Sequence, residues 1–223
     1  LNNLLDHFHI CVISGGNFAQ FDKQMLANLK AEPIKLEKLH LMPTCGTRYY
    51  KYDVAKNSWE KVYAEDFTEP EKKKIIEALN QGMDKLKYRE NKPWGDLIED
   101  RGSQITFSAL GQEAPVEAKE AWDADNTKKA RLRDEVAQLI PDFEVRAGGT
   151  TSIDVTKLGI DKAYGMQKLM TMLEVSKEDI LFFGDRLAEG GNDYPIKAMG
   201  IDSLEVSNWK DTALALTTIL HII

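Results

Sequence analysis

The sequence is poor in cysteine and contains no long apolar run. Its two cysteines, Cys11 and Cys45, do not have the spacing of a disulfide framework or of a metal site. Reduced thiols suit a cytoplasmic protein, and we expect Cys11 to pack in a core strand. No apolar segment approaches the roughly 20 residues that span a bilayer, and no signal peptide is evident. We therefore expect a cytoplasmic protein without a membrane partner.

An excess of basic residues is lacking as well. The 223 residues include 29 Lys and Arg against 36 Asp and Glu, which gives a formal net charge of -7. Affinity for nucleic-acid backbones comes mainly from clustered Lys and Arg, so we expect no nucleic-acid partner. The one basic run, Lys72 to Lys74, directly follows Glu69-Pro70-Glu71, and such mixed signs are typical of a solvated helix face.

The most informative segment lies near the end of the chain. There an apolar run from Ile180 to Phe183 is followed by Gly184-Asp185 and then by Gly190 to Asp193. A β-branched and aromatic run before glycines and acids predicts a buried strand that ends in a loop carrying carboxylates. Carboxylates at such a strand end suit Mg²⁺ and, through it, phosphate. The alternative is an acidic surface turn.

Two further segments are consistent with phosphate chemistry. His9 to Ile13 predicts a second buried strand, and Ser14 to Asn17 has the hydroxyl and small residues of a phosphate-binding turn at a helix start. Gly159 to Gly165 opens an apolar-periodic helix and places Lys162 at its entrance. A lysine there can pair with a phosphoryl group or with a carboxylate, and a solvated lysine is the alternative.

Taken in order, these segments resemble the second, third and fourth motifs of the haloacid dehalogenase superfamily. The resemblance is closest to the eukaryotic-type phosphomannomutases and their bacterial hydrolase relatives. It includes Gly148 to Val155, Gly159 to Lys162 and Phe182 to Asp193. It implies an α/β fold in which a Rossmann-like parallel-sheet core carries an inserted α+β cap domain, with the active site between the two.

The resemblance implies a role for each motif residue. Asp185 would bind Mg²⁺, with Asn192 and Asp193 as further ligands or next to the ligands. Ser14 would hydrogen-bond the transferring phosphoryl group, and Lys162 would neutralise charge on it. Asn192 could instead stabilise the loop by Asx-type hydrogen bonds.

Five residues are candidates for substrate binding. The first is Gly15, in the predicted phosphate-binding turn from Ser14 to Asn17. Arg101 could match one of the cap arginines with which phosphomannomutases hold the distal phosphate of a sugar bisphosphate. Ser152 and Asp154 match positions that those enzymes use for sugar hydroxyls, although Ser152 could equally be a strand-edge residue. Gln112 falls where the mutases have arginine in a similar Ser-Pro-Ile-Gly-Arg segment. A neutral amide holds a phosphate dianion far less well than a guanidinium group does.

One departure from the resemblance concerns the nucleophile. The first motif of the superfamily is Asp-x-Asp after a strand, and its first aspartate attacks the phosphoryl group. Leu1 to Leu5 resembles the helix just before the second motif, so we expect the first strand and its aspartates to be absent from this sequence. Asp123-Ala124-Asp125 has a polar helical context, and we interpret it as a helix cap or a solvated turn.

The motifs and the changing periodicity predict two domains. Strand-then-helix alternation over residues 1–44 and 152–223 predicts the parallel, helix-covered core. Residues 45–151 contain alternating polar and apolar segments typical of half-buried antiparallel strands, and we interpret them as the cap. Its predicted elements are the strands Tyr49 to Tyr52 and Ser103 to Ser108 and the helices Lys72 to Leu86 and Asp125 to Leu139.

The sequence thus favours a Mg²⁺-dependent phosphatase that acts on a small phosphorylated metabolite, such as a sugar phosphate. The reaction would proceed through an aspartyl-phosphate on an aspartate upstream of this chain. Two alternatives stay open at this point. One is a phosphomannomutase, and the other is a non-catalytic fragment or binding domain, because no nucleophile is visible. The oligomeric state does not follow from the sequence.

Overall fold

The computed structural model describes residues 1–222. The chain forms two compact units, one from Leu1–Ala64 together with Ile160–Ile223 and the other from Glu65–Gly159. Over the described residues, no helix combines the length and the apolar composition that crossing a membrane requires.

The predicted strands and helices are present to within a few residues at their ends. In chain order the strands are β1 (Ile10–Ile13), β2 (Leu39–Met42), β3 (Arg48–Asp53), β4 (Ser58–Ala64), β5 (Ile98–Asp100), β6 (Ile105–Ser108), β7 (Phe143–Ala147), β8 (Ser152–Lys157), β9 (Leu181–Gly184) and β10 (Asp202–Glu205). The α-helices are α1 (Leu4–His7), α2 (Phe18–Gln24), α3 (Pro33–Leu36), α4 (Glu69–Leu86), α5 (Val116–Trp122), α6 (Thr127–Leu139), α7 (Lys162–Leu173), α8 (Tyr194–Ala198) and α9 (Trp209–Ile222). Short 3₁₀ turns cover Leu26–Asn28, Thr44–Gly46 and Lys177–Asp179.

The strands of the first unit form two separate sheets in the described structure. One has the order β1-β2-β3-β4, in which β1 and β2 are parallel and the remaining pairs are antiparallel. The other is the parallel pair of β9 and β10. Parallel strands alternating with helices confirm the predicted α/β class.

Alternation along the strands gives the larger sheet two apolar faces. Leu41 of β2 packs with Phe21 of α2 in one cluster, whereas Met42 packs with Met166 of α7 in another. Because consecutive side chains of a strand point to opposite faces, helices can cover this sheet on both sides. Phe182 of β9 joins the second cluster, so the two sheets share a core.

The second unit is an antiparallel sheet with two helices on its apolar face. The strand order is β5-β6-β8-β7, and α4 and α6 pack against Phe107, Val155 and their neighbours. Gly82 lets the two helices approach closely, because a Cβ at this position would lie 2.9 Å from Val136 Cγ2. The apolar residues of the alternating strands therefore all face one helical layer.

The Asp123-Ala124-Asp125 segment caps α6. The two carboxylate oxygens of Asp123 accept hydrogen bonds from the N–H groups of Lys128 and Lys129 at 2.9 and 3.0 Å. Asp125 Oδ1 accepts from the N–H and the hydroxyl of Thr127. These contacts confirm that the segment is a helix cap.

The division between the units differs from the boundaries expected near residues 44 and 152. β3 pairs with β2 through Leu41 and Tyr50, which ties the β3-β4 hairpin to the first unit. β8 pairs with β6 and β7 and therefore belongs to the second unit. Alternation of polar and apolar residues identifies a strand. It does not identify the strand that pairs with it, because that partner lies in a distant part of the chain.

Two histidines and a tyrosine form a hydrogen-bonded chain in the first unit. His9 Nδ1 lies 2.9 Å from His40 Nε2, and His40 Nδ1 lies 2.8 Å from Tyr49 Oη. His40 is fully buried, and this burial, together with the charges of His9 and Lys51, lowers its pKa to about 4. Burial also raises the pKa of Tyr49 to about 12. His40 is therefore neutral in the folded protein at neutral pH.

We predict that His40 makes the folded protein sensitive to acid. Its pKa is about 4 in the folded state and 6.5 in the unfolded state, so the unfolded state takes up a proton first as the pH falls. The stability that neutral His40 contributes is therefore fully present above pH 6.5 and is lost as the pH falls towards 4. The free energy of unfolding should drop by on the order of 3 kcal/mol, measured by urea unfolding across this range.

The variant His40→Gln should remove most of this pH dependence, because glutamine does not titrate. His7→Gln, at an exposed histidine, is the matched control and should retain it. If both variants lose stability with acid as the unchanged protein does, His40 is not the group responsible.

Candidate active site

The predicted catalytic residues of the first unit lie at strand ends and at a helix start. Ser14 directly follows β1, Asp185 directly follows β9, and Lys162 is the first residue of α7. In open α/β sheets, ligands bind beyond the carboxyl ends of the parallel strands. Ser14 and Asp185 therefore occupy the strand ends at which such folds place their chemistry.

Backbone hydrogen bonds hold Ser14 in place. Its N–H donates to the carbonyl of Met42 at 3.3 Å, and its carbonyl accepts from the N–H of Cys45 at 2.9 Å. Ser14 Oγ accepts from the N–H of Gly16 at 3.2 Å. A hydroxyl that accepts one hydrogen bond keeps its own hydrogen for a further acceptor, such as a phosphoryl oxygen.

Two N–H groups that follow Ser14 in this turn, those of Gly16 and Asn17, are bonded within the protein. Asn17 and Gln20 form a reciprocal capping box at the start of α2, in which each side-chain oxygen accepts the other's backbone N–H at 2.9 Å. The N–H of Gly16 is bonded to Ser14. The expected phosphate-binding turn therefore differs from a fully preformed anion cradle, because the N–H groups of Gly16, Asn17 and Gln20 already have protein acceptors.

Lys162 is paired with a buried carboxylate. Its Nζ contacts Asp193 Oδ1, and the two side chains are only 12% and 2% exposed. Burial alone would raise the pKa of Asp193, but the hydrogen bond and charge of Lys162 lower it below its usual value. Asp161 caps α7 by accepting the N–H of Tyr164 at 3.0 Å, which sets the helix start at Lys162. The ammonium group is thus held at one place.

Asp193 also organises the loop that carries Asp185. Its second oxygen, Oδ2, accepts the N–H groups of Asp185 and Arg186, both at 3.0 Å. Gly184 permits this approach, because a Cβ there would lie 2.8 Å from Asp193 Cγ. A Cβ at Gly191 would lie 2.1 Å from the carbonyl oxygen of Arg186. Gly184 and Gly191 are therefore needed for the loop to close around Asp193.

Asp185 and Asn192 are exposed, whereas Asp193 is not available as a free ligand. Both Asp193 oxygens are bonded to protein donors, as described above. In residues 1–222, no three His, Cys, Asp or Glu side chains come together as a metal-binding group. The hard carboxylate oxygens of Asp185 fit Mg²⁺ in chemistry, and Asn192 could add one oxygen, so these residues form only part of a ligand set.

A contact between two glycines positions the start of α7. A Cβ at Gly165 would lie 2.6 Å from the carbonyl oxygen of Cys45, 2.6 Å from Ile13 Cδ1 and 2.9 Å from Gly46 Cα. The N–H of Cys45 donates to the carbonyl oxygen of Ser14. The helix that begins with Lys162 is therefore packed directly on the segments that hold Ser14.

The other predicted substrate-binding residues lie in the second unit. Arg101, directly after β5, donates from Nε and Nη2 to Glu99 Oε2 at 3.0 and 2.7 Å. Asp154 of β8 accepts from Thr106 Oγ1 at 2.7 Å. Ser152 is two residues before Asp154 on the same strand, so its side chain shares that face of the sheet.

Gln112 lies close to the same group of residues. Its Nε2 is 3.4 Å from the carbonyl oxygen of Thr106 and 3.5 Å from that of Leu97. Lys119 Nζ donates to the backbone carbonyl of Gln112 at 3.2 Å. The amide thus faces backbone oxygens of its own unit.

Sequence reasoning missed Glu99, Gln104 and Thr106, and it did not pair Lys162 with Asp193. The alternation in Ile105 to Ser108 does place Thr106 on the polar face of its strand. Only the pairing of β6 with β8 sets Thr106 opposite Asp154. Likewise, the 31 residues between Lys162 and Asp193 conceal their contact until the fold is known.

Comparison with solved structures supports the fold. An inosine monophosphate (IMP) nucleotidase of Plasmodium falciparum, in an N-terminally truncated form, superposes with a TM-score of 0.66 at 17% identity, covering 99% of this chain and 63% of that one. A haloacid dehalogenase-like hydrolase of Bacteroides thetaiotaomicron gives a TM-score of 0.56 at 12% identity and covers 94% and 85%. At such low identities the likeness concerns the fold alone.

Comparison of sequences identifies the family. The phosphomannomutase of Saccharomyces cerevisiae is 33% identical over 110 residues, which are 46% of this chain and 41% of that protein. The phosphomannomutase of Schizosaccharomyces pombe is 33% identical over 140 residues, or 57% and 51%. The chain thus matches about half the length of these relatives. The family profile described as eukaryotic phosphomannomutase matches residues 1–222, so the chain belongs to the eukaryotic phosphomannomutase family, as its motifs predicted.

Proposed function

We propose that the complete protein is a Mg²⁺-dependent phosphatase that acts on a small sugar phosphate. The bridge formed by Asp193 is the observation that carries this proposal. One carboxylate oxygen of Asp193 contacts the Lys162 ammonium group, and the other accepts the backbone N–H groups of Asp185 and Arg186. A fixed cation and an exposed carboxylate at one strand end suit phosphoryl transfer, in which placement and charge stabilisation supply most of the catalysis.

Each residue of the first unit has a distinct role in this proposal. Ser14 donates its hydroxyl hydrogen to a phosphoryl oxygen. Lys162 offsets the negative charge on the phosphoryl group. Asp185 binds the metal, with Asn192 beside it, and Asp193 orients both Lys162 and the Asp185 loop. Mg²⁺, when bound, supplies a Lewis acid for a phosphoryl oxygen.

The nucleophile in this proposal is an aspartate outside this sequence. Within residues 1–222, the only Asp-x-Asp is the α6 cap at Asp123. The described strands leave one edge of β1 and one edge of β9 without a partner strand. Ile13 of β1 and Phe182 of β9 nevertheless pack in one apolar cluster. The open edges of β1 and β9, whose residues share this cluster, support a further parallel strand of the complete protein, ending in the nucleophilic aspartate.

The chemistry then proceeds in two transfers. The phosphoryl group moves from the substrate oxygen to a carboxylate oxygen of that aspartate, and the substrate oxygen takes up a proton from solvent and leaves as an alcohol; the attacking water of the second transfer returns this proton. Water then attacks the acyl phosphate, which releases inorganic phosphate and restores the carboxylate. Lys162 and Ser14 contact the same phosphoryl oxygens in both transfers.

Phosphomannomutase activity is the second candidate, and the family profile and the two yeast relatives favour it. A mutase must retain and reorient a bisphosphate intermediate, which requires a strong cation for the distal phosphate. At Gln112 this chain has an amide whose Nε2 faces two backbone carbonyl oxygens. The uncharged side chain at position 112 supports the phosphatase.

Asp185→Asn should abolish most of the Mg²⁺-dependent phosphatase activity of the complete protein. The change removes one ligand charge at nearly constant volume, so turnover should fall by roughly 100-fold while the fold is retained. Turnover against Mg²⁺ concentration is the measurement. Asp202→Asn, at an exposed aspartate on the neighbouring strand, is the control and should behave as the unchanged protein. A normal Mg²⁺ dependence in Asp185→Asn would exclude Asp185 as a ligand.

Gly165→Ala should lower turnover by displacing Lys162. The added Cβ collides with the backbone of Cys45 and Gly46, so the start of α7 must shift. We expect turnover to fall by about 10-fold or more and stability by roughly 1–3 kcal/mol. Gln167→Ala, at an exposed position of the same helix, should change neither.

A double-mutant cycle tests whether Gly165 acts through Lys162. If it does, Gly165→Ala should have little further effect on turnover once Lys162→Ala is present, because the positioned group is already gone. Equal effects in both backgrounds would mean that Gly165 matters only for packing.

Phosphorus NMR should separate the two candidate activities. With mannose 6-phosphate, Mg²⁺ and a bisphosphate activator, we expect the complete protein to release inorganic phosphate and to form little mannose 1-phosphate, since Gln112 cannot replace a cation. Rapid isomerisation with little free phosphate would instead establish the mutase. Both reactions are followed in one sample, so the ratio of inorganic phosphate to mannose 1-phosphate does not depend on enzyme concentration.

A further inference from the structure

Arg186 is an exposed cation that directly follows Asp185 in the loop after β9. Over residues 1–222, its guanidinium group takes part in no hydrogen bond and no ion pair. Asp185 and Glu189 carry exposed carboxylates in the same loop, and the described structure pairs neither of them with Arg186. A guanidinium group has five N–H donors and no acceptor, so all five are open to an anionic ligand.

The backbone of Arg186 is fixed, in contrast to its side chain. Its N–H donates to Asp193 Oδ2 at 3.0 Å, and its carbonyl oxygen accepts from the N–H of Asp193 at 3.3 Å. The next residue, Leu187, is only 2% exposed and anchors the loop in the protein. The Cα of Arg186 is therefore held beside Asp185, whereas the exposed side chain is free to change rotamer.

This position suits an arginine that binds phosphate. The guanidinium group is charged at any physiological pH, and its planar fork donates two parallel hydrogen bonds to phosphate oxygens. Consecutive Cα atoms lie about 3.8 Å apart, which is short compared with an extended arginine side chain. A phosphoryl group that binds at Asp185 is thus within reach of Arg186.

The two cations of this site differ in how they are held. Lys162 contacts buried Asp193 and is only 12% exposed, so its charge is in place before a substrate arrives. Charges fixed in advance act most strongly on the transition state. Arg186 lacks such a partner in the described structure, and binding must order its side chain at a cost in conformational entropy. A side chain that is ordered by a phosphate dianion binds the substrate and the released phosphate alike.

We propose that Arg186 binds the phosphate of the substrate and the inorganic phosphate product, and that it contributes to affinity rather than to the rate of the chemical step. This inference rests on the proposed phosphatase function and adds a phosphate-binding residue to it. Binding that is equal in the ground state and the transition state lowers KM and leaves kcat unchanged. The same contact strengthens inhibition by the product.

Initial rates of the complete protein test this proposal, with mannose 6-phosphate as substrate and inorganic phosphate as inhibitor. Arg186→Gln should raise both KM and the inhibition constant of phosphate by about 10-fold, because a charge-assisted contact is lost. Its kcat should stay within about 3-fold of that of the unchanged protein. Arg186→Lys should lie between the two, since an ammonium group keeps the charge without the fork.

Two further variants control this experiment. Lys197→Gln removes an exposed cation from α8 of the same unit and should leave both constants unchanged. Arg186→Ala should regain part of its phosphate affinity when guanidinium ion is added well below denaturing concentrations. A residue with a merely structural role would not be rescued in this way. Thermal unfolding monitors whether each variant is folded.

The outcomes separate this inference from the proposed function. Unchanged constants in a folded Arg186→Gln variant overturn the inference, and so does a loss confined to kcat. Calorimetric titration with inorganic phosphate requires no turnover. If the complete protein hydrolyses no sugar phosphate, the proposed function fails, and a phosphate affinity about 10-fold weaker in Arg186→Gln would still establish the binding role of Arg186.

Discussion

The candidate active site depends on one buried carboxylate. Asp193 is almost completely buried and uses both oxygens, one for the Lys162 ammonium group and the other for two backbone N–H groups of the Asp185 loop. A buried charge that lost these partners would be strongly destabilising. The same bonds that make the carboxylate tolerable therefore fix the cation and the loop relative to each other. Stability and the placement of the chemistry have a common cause here.

Close backbone approach is the second constraint on this site. Gly184 and Gly191 admit the loop around Asp193, and Gly165 lets α7 rest on the turn that holds Ser14. At each of these positions a single Cβ would collide with backbone or with Asp193 itself. Glycine thus serves here through its lack of volume, which sets how near the helix and the loops come to one another.

The sequence by itself determined the elements, the fold class and the family. Alternation in Ile105 to Phe107, the apolar run before Gly184-Asp185 and the helix start at Lys162 are local patterns, and local sterics and hydrophobic periodicity decide them. Tertiary structure decided what these patterns touch. It assigned the β3-β4 hairpin to the first unit, paired Lys162 with Asp193 across 31 residues, and showed the turn after Ser14 to be capped from within. Such contacts depend on strand register and packing between distant segments, which no local pattern specifies.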